Sequence, residues 1–375
     1  MSPSSVVVLA PEDDTTFRIT PSATTSGFLP AGVTQTFTLQ RGETIQFKAG
    51  QDLSGTRIEA LGGKRLAVFA GARQANIACM GADSHLWDQM LPTARWGTRH
   101  LVMPLAGEGA TPVRLVAGEF KTTVDLSCQP QLVLNPGPGQ TIAIAKPTYI
   151  TSNRPIGVAV LTKSSACSAL GTGDPNLLVV PPLDLVQVGD TRWSTPSGID
   201  TLSAARHWVT VLTASAAPLR LDGQALPLGA IDGVPGLSWA AVEVQAGTHA
   251  LTGAPHVALM HGLAPYDAVT YGGGYGCSAQ TCDTFVALLP TLPPNGCDPG
   301  DLDVTKPPVG GPGGPGDPRF ECASACDCYV SEPSGDCGEL EAIWTCTPDR
   351  TCKETCGHAC LACPERFPTP DGRCP

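Results

Sequence analysis

The chain has 375 residues, 15% of them charged, a formal net charge of -11, and 42 glycines, 36 prolines and 16 cysteines. An acidic chain without a basic stripe is excluded from sequence-independent nucleic-acid binding, which requires displacing phosphate counterions, and from docking on an anionic membrane surface. The glycine and proline content suits short strands joined by tight turns, and Pro, Gly or a charge interrupts every apolar run short of the about 18 residues that a membrane span needs.

The opening residues MSPSSVVVLAP lack the basic region of a signal peptide and pass directly into an apolar strand. A leader is therefore expected upstream of residue 1, or the start lies elsewhere. From there the chain repeats itself. A strand pair around Arg18 (residues 6–20) returns around Arg114 (101–116) and Arg220 (208–222), the arginines standing 96 and 106 residues apart. After 24, 25 and 27 further residues comes a turn glycine within an apolar alternation: Gly42, Gly139 and Gly247. Each copy closes on a second alternation, RLAVFAG (65–71), PIGVAVL (155–161) and HVALMHG (256–262).

Self-similarity at a fixed period marks a duplicated unit. Phe37 and Leu39 alternate with Thr36, Thr38 and Gln40, which describes an antiparallel sheet with one buried face. Such sheets pack in pairs. The expected fold is all-β: three related antiparallel β-sandwich-like units in tandem over residues 1–290, divided at about 1–95, 96–200 and 201–290.

After the closing strand of each unit comes a turn-rich insert, at 72–89, 163–176 and 263–283. Each holds an aspartate leading into an apolar run that ends at proline: Asp83 in DSHLWDQMLP, Asp174 in DPNLLVVPP and Asp283 in DTFVALLP. Inserts at equivalent positions of a repeat map to one face, often the binding face. Such an aspartate either caps a turn by accepting backbone N–H bonds, or Asp83, His85, Asp174, Asn176 and Asp283 converge on a ligand or a calcium ion. Trp87 in the first insert and Tyr266, Tyr271 and Tyr275 in the third can stack on sugar rings or anchor protein contacts, although Trp87 equally suits a core.

Residues 291–320 form a Pro/Gly-rich linker that includes KPPVGGPGGPGDP, a composition with no packed core. The module at 321–375 carries Cys322, Cys326, Cys328, Cys337, Cys346, Cys352, Cys356, Cys360, Cys363 and Cys374. It has too little apolar mass to fold without staples. The paired C-x-x-C knuckles of a zinc ribbon are absent and only His358 is at hand, so about five disulfides are expected rather than a metal site. Cys352, Cys356, Cys360 and Cys363 stand at helical spacing and suggest a short helix. In the body, Cys79, Cys167, Cys277 and Cys282 lie in the inserts, with Cys128 and Cys297 elsewhere. Cys277 and Cys282 are close enough for a local bridge. So many cysteines place the protein in an oxidising compartment, secreted or at the cell surface.

Nothing in the chain specifies catalysis. No HExxH, G-x-S-x-G, P-loop or EF-hand pattern occurs, and GGGYG (272–276) has no helix start behind it. His256 and His261, five apart on one strand, fall on opposite faces and cannot share a metal. No catalytic residue, metal or cofactor is assigned.

Several segments resemble the N-terminal domain of the IgG Fc-binding protein family, a secreted, mucus-associated group in animals with many bacterial relatives. They are DLSGTRIEALGGKRLAVFAG (52–71), SHLWDQMLPTARWGTRHLVMPLA (84–106), TYITSNRPIGVAVL (148–161), GDPNLLVVPPLD (173–184) and the run at 242–274. The resemblance implies an extracellular, non-enzymatic interaction domain, often joined to cysteine-rich modules. In the family a cysteine often precedes the His-Leu pair and a second lies shortly upstream. Here those places hold Asp83 and Gln74, with Cys79 between them. The departure leaves Cys79 to a longer-range partner, Cys128 or Cys167. No Fc-contact motif carries over.

The function expected is adhesion to, or recognition of, a glycoprotein, polysaccharide or other extracellular macromolecule through the insert loops. The alternative is a structural spacer or matrix subunit cross-linked through the cysteine-rich tail.

Overall fold

The computed structural model describes residues 4–273 apart from 28, 80–82, 128, 184, 186–189, 196–204, 215–217 and 232–233, together with the strands at 341–346 and 352–357. The chain divides into two compact bodies, Met1–Leu302 and Asp303–Pro375. The linker, Tyr275, Asp283, Cys128, Cys277, Cys282, Cys297 and most tail cysteines lie outside the described residues.

The first body is built of β-strands in antiparallel sheets. Its first repeat contains β1 (Ser4–Leu9), β2 (Thr15–Thr20), β3 (Gln35–Leu39), β4 (Thr44–Ala49), β5 (Arg57–Ala60), β6 (Ala67–Ala75) and β7 (Ser84–Gln89). They form sheets ordered β4-β1-β6-β7 and β3-β2-β5. Alternation does the sorting: Val6 and Val8 of β1 and Phe17 and Ile19 of β2 turn into one core with Leu39 and Phe47, while Arg18 turns outward to pair with Glu59 at 2.8 Å. Within that core Phe17 stacks on Phe37 with ring centres 5.6 Å apart.

The second repeat has β8 (Gly97–Val102), β9 (Thr111–Ala117), β10 (Thr122–Leu126), β11 (Leu132–Leu134), β12 (Gln140–Ile144), β13 (Thr148–Leu161) and β14 (Leu177–Val180). Its strands form one seven-stranded sheet, and β13 serves both halves of it. Its first half lies between β10 and β8, its second between β9 and β14, with an irregularity in register between Thr151 and Ile156. Such a corner lets one strand switch sheets.

The third repeat has β15 (Thr191–Thr195), β16 (Arg206–Ala214), β17 (Leu219–Leu221), β18 (Gln224–Ala225), β19 (Gly229–Ile231), β20 (Val234–Val244), β21 (Gly247–Gly253), β22 (His256–Ala264) and β23 (Asp267–Gly272). Its sheets run β19-β20-β16-β22-β23 and β15-β21-β17-β18.

Laid over one another, the pairings match β1 with β9 and β16, β2 with β10 and β17, and β6 with the second half of β13 and with β22. The three closing alternations are thus equivalent strands. The arginines are not: Arg18 and Arg220 occupy matching strands, but Arg114 lies on β9, the counterpart of β1, and Asp125 stands where Arg18 stands. Gly247 is likewise displaced by one strand, opening β21 rather than β20. Period-2 alternation is common to every strand, so a one-strand slip leaves the pattern intact. The discriminating signal is the hairpin. Thr15 Oγ1 donates to Glu12 O at 2.7 Å and Thr122 Oγ1 to Glu119 O at 2.8 Å. The residue before each threonine, Asp14 or Lys121, has φ of 49° or 55°.

The second and third repeats share one core. Leu212, Ile231, Val234, Leu237, Val257 and Leu259 of the third pack into the same buried cluster as Leu101, Leu115, Ile150 and Ile156 of the second. The first repeat keeps its own core and meets the second through polar and close backbone contacts. Arg114 pairs with Asp52 at 2.9 Å, and a Cβ on Gly55 would stand 2.8 Å from Gly137 Cα, so no larger residue fits there.

In the second body β24 (Glu341–Cys346) pairs with β25 (Cys352–Gly357). Cys352 and Cys356 therefore lie on a strand and not on the expected helix. A spacing of four keeps one face in either structure, so the spacing alone did not discriminate.

Candidate functional site at the insert junction

Each insert leads into an edge strand, β7, β14 or β23, that pairs with the closing strand of its repeat. β14 lies against both of the others. Val179 N donates to Asp88 Oδ2 of β7 at 2.7 Å, and Thr270 Oγ1 of β23 donates to Leu177 O at 3.2 Å. The first two inserts are covalently joined by a Cys79–Cys167 disulfide with a Cα separation of 6.1 Å. Beside it Ile77 N donates to Ser164 Oγ and Ser164 N to Ile77 O, both at 3.1 Å. The end of the second insert is tied to the third repeat where Gly173 N donates to Ala264 O at 2.8 Å.

The junction gathers one aspartate from each repeat. Asp174 is only 7% exposed, and its Oδ1 has no hydrogen-bond partner. Burial holds its carboxyl above the usual range, and the negative charges of Asp267 and Asp83 push the same way, against a hydrogen bond from the Ser84 side chain. Asp283 lies outside the described residues; the third described member is Asp267, the first residue of β23. Sequence reading passed over it because no proline-terminated apolar run comes after it. The usable signal was its place directly after the closing strand. Among the described residues no group of three or more His, Cys, Asp or Glu side chains is placed to hold a metal ion.

The other candidates divide between structural use and exposure. Asn176 is a clamp: its Oδ1 accepts from Leu177 N at 2.7 Å and from Thr270 Oγ1 at 3.1 Å, and its Nδ2 donates to Ala268 O at 3.0 Å. Replacing it by alanine is expected to cost about 1–2 kcal/mol in chemical denaturation, because it leaves groups between β14 and β23 unsatisfied. Tyr271 packs on the third core, with its hydroxyl donating to Ser194 O at 3.2 Å. Asp83 and His85 are exposed, and Asp83 accepts from Asn76 Nδ2. His85 stacks on half-buried Trp87 at 5.6 Å, and Trp87 in turn on Phe69 at 6.1 Å. Tyr266, in the turn ahead of Asp267, is 75% exposed.

A buried carboxyl beneath the junction carries no signal in the sequence. Glu108, in the β8–β9 turn, is fully buried. Its Oε2 accepts from Lys163 N at 3.1 Å, while Oε1 has no partner. Burial pushes its carboxyl up to about 7, against the backbone bond and the charge of Lys163.

Fold and junction together define a tandem all-β repeat protein whose inserts are tied into one disulfide-braced region. Residues 1–262 match the IgGFc binding protein family, and the chain belongs to that family. Human IgGFc-binding protein is 26% identical over 238 residues, which is 59% of this chain and 4% of the human protein. The chain thus spans a small part of that relative's length. Among solved structures, an alpha-L-rhamnosidase from Streptomyces avermitilis aligns with 10% identity over 71% of this chain and 37% of its own, at a TM-score of 0.16. An anti-sigma factor domain-containing protein from Clostridium clariflavum aligns with 9% identity over 72% and 78%, at 0.15. Neither score implies a shared fold.

Proposed function

We infer that this protein is an extracellular, non-enzymatic recognition protein that binds a glycoprotein, polysaccharide or other surface macromolecule at the insert junction. The observation carrying this reading is the meeting of β7, β14 and β23, which sets exposed Asp83, His85 and Tyr266 beside a common braced region. Loops held on a rigid sheet scaffold present contacts with little loss of entropy on binding. Aromatic side chains supply most of the energy at such surfaces. Membership in a family named for binding an antibody fragment supports a protein ligand, and the disulfide supports a secreted or cell-surface setting.

An array of mucin-type glycoproteins, polysaccharides and IgG Fc fragments tests the assignment. The H85A/Y266A variant, altered only at exposed positions, is expected to lose at least about ten-fold in affinity, the effect of removing one or two anchoring contacts. Adding Asp83→Ala and Trp87→Ala should abolish binding. Undiminished binding by the fourfold variant would falsify the assignment.

A further inference from the structure

The turn between β8 and β9 is pinned from two sides by consecutive residues. On one side Ala106 O accepts from His261 Nε2 of β22 at 2.9 Å. On the other, Gly107 O accepts from Leu170 N at 3.2 Å and Glu108 Oε2 from Lys163 N at 3.1 Å, both donors belonging to the second insert. The turn thus holds the third repeat through Ala106 and the insert through the residues that follow.

Glu108 stands between two glycines in the left-handed region, Gly107 at φ 81° and Gly109 at φ 69°. Glycine crosses such conformations freely, so the pair forms pivots on either side of the buried carboxyl. Leu170 of the insert and Leu263 of β22 seal the first pivot, for a Cβ on Gly107 would lie 2.7 Å from Leu170 Cδ1 and 3.2 Å from Leu263 Cδ1.

We propose that this turn is a pH-operated latch on the second insert: it is closed while Glu108 is neutral, and ionisation of Glu108 releases residues 163–173 while Ala106 stays pinned to β22. A neutral carboxyl tolerates burial with one hydrogen bond. A carboxylate in the same place has Oε1 bare, and a buried charge so poorly partnered draws the turn open to reach water. Opening breaks the bonds to Leu170 and Lys163 first, because both are made by residues that move with the carboxyl. The freed stretch contains Cys167, so the movement reaches the first insert through the bridge to Cys79.

The charged and titratable groups around the latch come from the insert and from β22. Lys163 Nζ lies 3.9 Å from where a Cβ on Gly109 would stand, and its charge favours the ionised form of Glu108. Burial outweighs it and holds the carboxyl at about 7, which puts the release near neutrality. Asp174 lies beyond Gly173, whose Cβ would stand 3.8 Å from Glu108 Oε1. On the side of β22, burial holds His261 down at about 4 and neighbouring His207 pushes the same way, so the anchor to Ala106 stays neutral as Glu108 ionises.

Hydrogen exchange of the full chain, corrected for the intrinsic pH dependence of amide exchange, tests the latch without any ligand, so its failure leaves the recognition assignment untouched. Between about pH 6 and about pH 8 the protection of residues 163–173 is expected to fall about ten-fold, the change that one group titrating near 7 produces, while that of β22 holds. Glu108→Gln should keep the insert protected at both pH values, which also separates Glu108 from Asp174. Lys163→Met removes the charge that favours ionisation and should move the release to higher pH, a displacement that a merely weakened insert does not produce. Protection in the parent that ignores pH, an equal fall in Glu108→Gln, or a simultaneous loss in β22 would each overturn the proposal. Should the glutamine variant not fold, an unmoved release in Lys163→Met would overturn it.

Discussion

Replacing Cys79 and Cys167 together by serine should lower the unfolding free energy of the first body by about 4 kcal/mol, the entropy of closing a long loop in the unfolded chain. The bridge spans a sequence separation of 88 and joins the inserts of two repeats that otherwise keep separate cores. Its loss therefore acts most on the first repeat. Urea unfolding followed by tryptophan fluorescence should show an earlier transition, and limited proteolysis should cut first within residues 72–89. An unfolding curve superimposable on that of the parent would show that the hydrogen bonds between the two repeats hold the junction without the bridge.

The second large effect is one of pH. The folded-state pKa of Glu108, about 7, lies above its ordinary 4.5, so the native protein binds this proton more tightly than the unfolded chain does. The contribution is complete below about pH 4.5 and is lost as the pH rises through 7, about 3 kcal/mol across the interval. Glu108→Gln removes the titration while keeping shape and size. Stability of the parent should fall between pH 5 and pH 8, that of the variant should fall less, and at pH 8 the variant should be the more stable by up to about 3 kcal/mol. A constant difference between the two across this range would mean that Glu108 stays ionised, held by Lys163.

Several features were legible because they are local. The closing strands at 65–71, 155–161 and 256–262 announced themselves by period-2 alternation and are equivalent in space. Asp83 and Asp174 were recognisable from the apolar, proline-terminated run behind each. Asp267 was not, since its partnership with them arises only when β23 comes to rest against β14. Arg114 shows the limit of pattern matching, for an arginine between two apolar residues looks alike on β2 and on β9. Glu108 and Lys163 were invisible for the opposite reason: two charged residues in loops read as solvated until the fold encloses them.

What residue order alone determined was the all-β class, the threefold duplication and the inserts, because alternation and turn residues act over a few neighbours. Only the tertiary arrangement decided that the second and third repeats share a core, that Cys79 meets Cys167, and that Asp267 comes beside Asp83 and Asp174. Those outcomes depend on which surfaces meet after the chain has closed loops of tens of residues, and the identity of that meeting is set by packing over the whole body rather than by any short segment.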